Sequence, residues 1–470
     1  MKRNILIACG AALLMWCTTA CDDKLDIVPK GKTTLENVTD LELLLNQEYS
    51  LVQHAVQDLG LICNESLGLM MSIPSTMSQT NTLDYAYLTY NTDIDRATLA
   101  TEDTRYEEAY KYINYMNVIL EKMPDATGDE SSKAGLMAEA HVMRAYIHWL
   151  LVNIYAKQYD EATANEEGGI AYVKDTDVST QKTKLSLEET YQCILNDCTD
   201  DIIAQLPDKN STNVMRADKA FGYAVRAKVL MQMKRYSDAL PYAQKALNEN
   251  GKIEDRSTLV ESMTWSLDYD YAGNYLYMRG STRAMPCMET LSAETSQMFE
   301  AGDYVINYDL MGGWSELYAQ MFCGTTGCLM YFGWSTSANE YGINSDRMYY
   351  TAAECYIRTG EIRKGLELVD RVRAKRVEDY EPFTTQYDNG ATSEAEAMAM
   401  LQKAKWIECI SSYENFFDCK RWNTEEKYKR TITRDLGEYG TFSITPDSPL
   451  WVLPFPANAV RYNASLTQNY

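Results

Sequence analysis

Between residues 219 and 247, small and large apolar residues recur at fixed helical offsets: Ala227, Leu230, Tyr236, Ala239, Ala243 and Ala246. A second stretch, 348–375, keeps the same offsets with Ala353, Tyr356, Ile362, Gly365, Val369 and Val372. This spacing matches the tetratricopeptide pattern of two antiparallel helices, in which small residues let the helices approach closely. The proline that usually closes such a unit is absent after both. Two copies in register constrain the fold strongly. One helix pair cannot bury its apolar face alone, so pairs must stack into a common core, and the chain between them maps to loops on one side.

Further helices follow from the same period. Leu136, Ala140, Met143, Ile147, Leu150, Leu151 and Ile154 fall on one helical face. Helices are also expected over 105–123 and 393–418. Ala145 and His148 open another unit, with its second helix displaced to 187–206 beyond a Gly168-Gly169 loop. The expected fold is all-α dominated. A tetratricopeptide-like repeat scaffold covers about 105–250 and 347–422, and a C-terminal segment covers 423–470. A long irregular, aromatic-rich insertion, about 253–346, separates the two repeat copies.

Two segments break the helical pattern. In 67–92, Met70, Met71, Pro74 and Met77 precede Tyr85, Tyr87 and Tyr90. That tyrosine spacing, near two, predicts a shared strand face or an irregular loop. The insertion is the larger break. Its rings are interleaved with glycines such as Gly273, Gly312, Gly313, Gly333 and Gly342. Loops of this kind on a rigid scaffold commonly carry function. They place flat rings at an open surface, where the C–H faces of sugars pack and neighbouring polar groups read hydroxyls. The ligand candidates are Trp265, Tyr269, Trp314 and Trp334, with Asp268, Asn274 and Arg279 as polar partners. Large aromatics are core residues first, so about half of the insertion's rings are expected to be buried.

Both N-terminus and charge restrict the setting. Lys2 and Arg3 precede a mostly apolar run from Ile5 to Trp16, then Thr18, Thr19, Ala20 and Cys21. This reads as a signal peptide over 1–20, too short to span a bilayer, followed by a cysteine whose thiol is acylated. Asp22 and Asp23 resemble an acidic tag for export to the outer face of the outer membrane. The formal net charge is −23; removing 1–20 takes away Lys2 and Arg3 and no acid, leaving −25. Such a charge argues against nucleic acid and anionic membrane surfaces as partners.

Catalytic and metal-binding constellations find little support. The histidines are His54, His141 and His148. The last two, seven apart on one helix, lie about 10.5 Å apart along its axis and cannot chelate one metal. There is no phosphate loop, nucleophile elbow or metal motif. No cofactor or metal is expected, and the chain does not read as an enzyme. Cys355, Cys409 and Cys419 lie on apolar stripes and read as core. Cys323 and Cys328 flank Gly324-Thr325-Thr326-Gly327, a spacing compatible with a small disulfide loop and equally with a free pair.

The C-terminal run Trp451-Val452-Leu453-Pro454-Phe455-Pro456, continuing to Leu466-Thr467-Gln468-Asn469-Tyr470, resembles the C-terminal signature of the SusD/RagB family. Tyr110, Ile113 and Asn117, Arg144-Ala145, the run from Arg371 to Lys375, and Glu408, Asp418, Arg421 and Trp422 resemble its framework positions. Ser412, Tyr413 and Asn415 depart from its usual Glu-Gly-x-Arg, and the Pro-Gly before the last tyrosine is missing. The resemblance implies a surface lipoprotein, anchored through Cys21 in the outer membrane and facing the exterior. Such a protein captures an oligosaccharide and passes it to a TonB-dependent SusC-like transporter. The same role with peptide cargo is one alternative. A repeat adaptor that assembles envelope proteins without a small ligand is another. Rings converging on an open pocket would mark the first role; buried rings and an exposed apolar groove would mark the adaptor.

Overall fold

A computed structural model describes residues 35–48, 56–68, 70–210, 214–258, 272–279, 281–283, 289–306, 313–332, 336–390 and 392–470. Cys21, Trp265, Asp268, Tyr269 and Trp334 lie outside the described residues. Ten longer helices build the scaffold. They are α1 (Val38–Glu48), α2 (Thr104–Lys122), α3 (Glu130–Tyr155), α4 (Leu187–Asn196), α5 (Lys219–Gln232), α6 (Tyr236–Glu249), α7 (Ser345–Arg358), α8 (Ile362–Arg373), α9 (Glu394–Glu408) and α10 (Glu414–Trp422). Among the described residues, no helix is long and apolar enough to cross a membrane.

Local chemistry sets the helix starts. Asp103, Asp129 and Asp218 each accept a backbone N–H at the head of α2, α3 and α5. Ser186 with Glu189, and Ser393 with Glu396, form capping boxes on α4 and α9; such caps satisfy amides that the helix leaves open. The two repeat copies appear as α5–α6 and α7–α8, joined by short turns, and α6 packs on α7. Gly365 shows why a small residue is needed there. A Cβ on it would lie 2.6 Å from Ile357 Cγ1 and 2.7 Å from the Ala353 carbonyl of α7.

Three expected elements differ from the observed ones. The helix over 393–418 is two, α9 and α10, because the chain turns at 409–413. Ser411 there takes a left-handed φ of +60° and donates its N–H to Glu65 Oε1 at 2.9 Å. The helix over 187–206 also breaks, where Thr199 caps a separate short helix. Tyr85 and Tyr87 stand on a helix, Leu83–Thr89, instead of a strand. Thr82 accepts Tyr85 N–H at 3.2 Å and starts it, so the alternating tyrosines carry no strand register.

The insertion is not irregular throughout. It holds short antiparallel strands: β2 (Tyr275–Tyr277), β3 (Ser281–Arg283), β4 (Thr290–Leu291), β5 (Gly313–Ser315), β6 (Met330–Phe332), β7 (Thr336–Ala338) and β8 (Ile343–Asn344). With the earlier β1 (Ser66–Gly68) they form a four-stranded sheet in the order β1-β4-β6-β5, and the pairs β8-β2 and β3-β7.

Buried ion pairs bind distant segments of the scaffold. Arg421 meets Glu354 through both terminal nitrogens, at 2.5 and 2.9 Å, and Asp418 at 2.7 Å; Trp422 Nε1 donates to Glu354 at 3.0 Å. Arg144 pairs with Asp197 at 2.7 Å and donates to Asn117 Oδ1 at 2.7 Å. Arg216 pairs with Glu139 at 2.6 and 2.7 Å. Arg376 reaches Asp346 at 2.9 Å, Glu408 at 2.8 Å and the Glu254 carbonyl. The framework positions read from the sequence are therefore largely the ionic core.

The C-terminal segment returns to α3. Leu453 N–H donates to the Ile154 carbonyl at 3.0 Å, and Phe455 stacks on Tyr155 at 5.8 Å. Arg96 donates to the Val452 and Pro449 carbonyls at 2.9 Å each. Cys355, Cys409 and Cys419 are buried, as their stripes imply, and Cys323 and Cys328 are free thiols.

Candidate functional site

A cleft of about 270 Å³ opens where the insertion meets α7 and the end of α9. That is just below the roughly 300–1,000 Å³ usual for small-molecule sites. Its aromatic lining comes from strands. Trp314 on β5 stands opposite Tyr331 on β6, with ring centroids 5.3 Å apart at 63°. Both are half-buried, so each ring leaves part of its surface to the cleft. Tyr275 on β2 and Phe299 complete the apolar lining.

The polar lining comes from the insertion's two ends and from the turn after α9. Glu254, Arg256, Asn274, Asn339, Asn344 and Arg347 contribute from the insertion and the start of α7, and Glu408 and Ser411 from α9 and its turn. Glu289 also lines the cleft and accepts from Ser411 Oγ at 3.0 Å. Asn339 donates to the Tyr277 carbonyl at 3.0 Å and to Asn344 Oδ1 at 2.5 Å. Gly342 is needed at this corner: a Cβ there would fall 1.8 Å from Asn339 Oδ1 and 2.2 Å from the Tyr277 carbonyl.

Charge in the cleft floor is heavily paired. Arg256 donates to Glu254 at 3.1 Å and to Glu408 at 3.2 Å. Burial alone would raise the Glu408 carboxyl, but Arg256 and Arg376 outweigh it and hold the group down at about 2. Asp346 beneath is pushed up by burial despite Arg376. Among the described residues, no group of His, Cys, Asp and Glu is placed to hold a metal ion.

The structure brings two of the sequence candidates together here. Trp314 presents a ring, and Asn274 lines the wall with its amide committed to Asp346. Arg279 sits elsewhere. Its guanidinium lies 4.5 Å over the Tyr112 ring of α2, and its backbone is tied to Asn339 and Tyr341. Trp265, Asp268, Tyr269 and Trp334 fall outside the described residues. Arg347, Glu289 and Asn339 were missed, because a lone polar residue at a helix start or turn carries no periodic signal.

Residues 25–231 match a family model, SusD-like_3, described as starch-binding associating with outer membrane. The fold extends the likeness over nearly the whole chain. A SusD-like protein from Bacteroides fragilis superimposes with a TM-score of 0.63 at 16% identity, over 92% of this chain and 96% of that one. The chain has a SusD-like fold. The surface glycan-binding protein A of Bacteroides uniformis superimposes with a TM-score of 0.68 at 13% identity, covering 92% of this chain and 99% of that one. A SusD-like carbohydrate binding protein from Bacteroides vulgatus gives 0.64 at 12%, over 92% and 97%. No curated protein matches the sequence. The family match stops within α5, so every cleft residue lies beyond it. At these identities the structural likeness speaks for the fold alone.

Proposed function

We propose that this SusD-like protein is a cell-surface lipoprotein that captures an oligosaccharide in the Trp314 cleft and hands it to a TonB-dependent SusC-like transporter. The observation that carries the reading is the cleft itself: half-exposed rings from paired strands beside fixed asparagines and arginines. Such a lining suits sugar rings, which offer C–H faces to aromatics and hydroxyls to polar groups. The described relatives whose names include carbohydrate or glycan binding support the same class of ligand. Acylation at Cys21 would hold the binder beside its transporter and raise its local concentration without new contacts.

The adaptor reading draws on one other surface. Tyr106, Tyr110, Val173, Ala459, Leu466 and the exposed Tyr462 line an open, mostly apolar groove of about 390 Å³. The deciding experiment titrates the soluble chain, starting after Cys21, with neutral and acidic oligosaccharides and mixed peptides. Micromolar to millimolar binding to a glycan class, lost in a folded Trp314→Ala variant, supports capture at this cleft. Binding to peptides alone keeps the role and replaces the cargo. A stable barrel complex in a protein that binds no ligand favours the adaptor.

A further inference from the structure

The short helix Glu316–Cys323 is apolar around its circumference. After Glu316 come Leu317, Tyr318, Ala319, Met321, Phe322 and Cys323, with Gln320 the one polar residue among them. A helix apolar all round is normally covered on every side. Here one side is covered. The strand register sets Trp314 opposite Tyr331 and Ser315 opposite Met330. Strand side chains alternate between faces, so Trp314 and Tyr331 face the cleft and Met330 points away from it. On that far face Ala319 is buried with Met330, and Tyr318 and Cys323 pack beside them. The helix therefore lies on the back of the sheet whose front holds the cleft. Its outer side meets solvent: Leu317 is 60% exposed and Met321 65%.

Charge is missing from the same region. In a chain with 24% charged residues, none occurs over 66–83 or over 317–339. The fold brings these two stretches together, because the helix packs beside the Met70–Ser72 turn. The next short helix, Ile73–Ser78, leaves Pro74 exposed and Met77 half-buried. Glu316, at the rim, accepts the Gly327 N–H at 2.9 Å. Leu43, Val178, Tyr462 and Tyr470 are also exposed, but they lie on other elements. Apolar side chains scattered singly need no explanation, whereas a contiguous patch marks an interaction site. Methionine without charge is also the composition of an interface centre.

The occupant can be argued from charge and placement. A membrane-surface helix carries Lys or Arg along its polar side, and neither stretch holds one. The transporter proposed above takes ligand from the cleft, on the front of the sheet, whereas this patch is on the back. A second copy of the chain fits both conditions. The mature charge of −25 sets acid against acid over most of the surface when two copies approach. A charge-free patch lets them meet without that repulsion, and a two-fold axis makes one apolar patch complementary to itself. We propose that the outer side of Glu316–Cys323, with the Met70–Ser78 stretch beside it, is the contact of a homodimer that leaves both clefts open. One helix and one turn form a small interface, so the dimer is reversible in solution. Lipid anchoring at Cys21 would raise its population on the membrane.

The test is sedimentation velocity on the whole soluble chain, starting after Cys21, from micromolar to near-millimolar concentration. A monomer–dimer equilibrium is expected. Raising salt from about 50 to 500 mM should tighten it, because screening weakens repulsion between acidic copies and spares apolar contact. Met321→Glu should weaken dimerisation at least about tenfold, since the two-fold axis brings two new carboxylates into the contact. That side chain is largely exposed, so the thermal midpoint of the dilute variant should stay level. Val178→Ser, exposed on another element, should leave the dimer unchanged. Malto-, xylo-, manno- and galacto-oligosaccharides should titrate monomer and dimer alike. A monomer throughout the series overturns the proposal, and so does a dimer that Met321→Glu leaves intact. A monomer that binds phosphatidylcholine vesicles and is released by Met321→Glu overturns it in favour of a lipid surface. Glycan binding lost on dimerisation puts the contact on the cleft side and overturns the back-face placement. Failure of every glycan to bind counts against the proposed function alone, and a dimer sensitive to Met321→Glu then still stands.

Discussion

Arg421 and Arg347 are both buried guanidiniums, one in the helical scaffold and one at the foot of the insertion. Arg421 is held by two carboxylates, with Trp422 locking one of them from the side. Arg347 donates to a single carbonyl, and the Nε of both arginines lacks an acceptor among the described residues. The contrast separates two uses of a costly residue. In the scaffold, each buried charge is bound within the protein and fixes helices against one another. Beside the cleft, Arg347 is held by a carbonyl, with no ion-pair contact among the described residues.

The comparison breaks most readily at the scaffold. Arg421→Met should leave Glu354 and Asp418 buried without their partner and cost about 3–5 kcal/mol, read by urea unfolding. A loss below about 1 kcal/mol would mean that the scaffold charges are no better satisfied than Arg347.

A second effect is carried by His148. Its ring is buried against Tyr172, Nδ1 donates to the Arg144 carbonyl at 2.8 Å, and Nε2 accepts Val173 N–H at 3.1 Å. This fixes a neutral ring, and burial pulls its pKa down to about 3. The unfolded chain takes up a proton near pH 6.5 that the native chain refuses until about pH 3. Stability contributed by the neutral ring is therefore lost as pH falls through that window, by roughly 1.4 kcal/mol per unit. Asp218, pushed up to about 6 by burial, works in the opposite direction between pH 6 and 3.8. The difference between wild type and His148→Gln isolates the histidine, since Asp218 is common to both: from pH 6 to 4 the wild type should lose roughly 1.4 kcal/mol per unit relative to the variant. An equal slope in both would assign acid lability elsewhere.

Smaller effects sharpen the other side of the comparison. Trp314→Ala should weaken oligosaccharide binding about tenfold by titration, on the scale of a lost ring platform. Its unfolding free energy should shift by less than about 1 kcal/mol, since the ring is only partly buried. Tyr462→Ser, on a side chain 76% exposed, should change stability by no more than about 0.5 kcal/mol and leave ligand binding intact. Loss of ligand binding in that variant would move the site to the groove beside α2.

The scaffold was legible in the sequence because a helix pair repeats its small and large residues on a fixed period, and the offsets at Ala227 and Ala353 place both repeat units. Helix ends were harder. The turn at Ser411 depends on a contact with Glu65, far away in the chain, which no local pattern announces. The tyrosines of 83–89 gave the wrong period because two residues, Tyr85 and Tyr87, are too few to separate a strand from a helix once Thr82 supplies a cap. The cleft was half legible. Trp314 drew notice as a large ring among small neighbours, whereas Arg347 is a lone polar residue at a helix start, where no period marks it. Arg279, an equally plausible polar residue on paper, is turned to Tyr112 by the β2–β8 corner.

Arg376 holds the Glu254 carbonyl with one nitrogen and Asp346 with another, and those two residues bracket the insertion. Tyr349 and Ser345 add bonds to the Gly251 and Lys252 carbonyls on the same side. The two ends of the excursion are thus fastened together independently of what lies between them. Closing a loop that is already pinned at its base costs little more when it grows, about 0.6 kcal/mol for each doubling. The residues between these clasps can therefore change in number and kind without loosening the bonds that close their base.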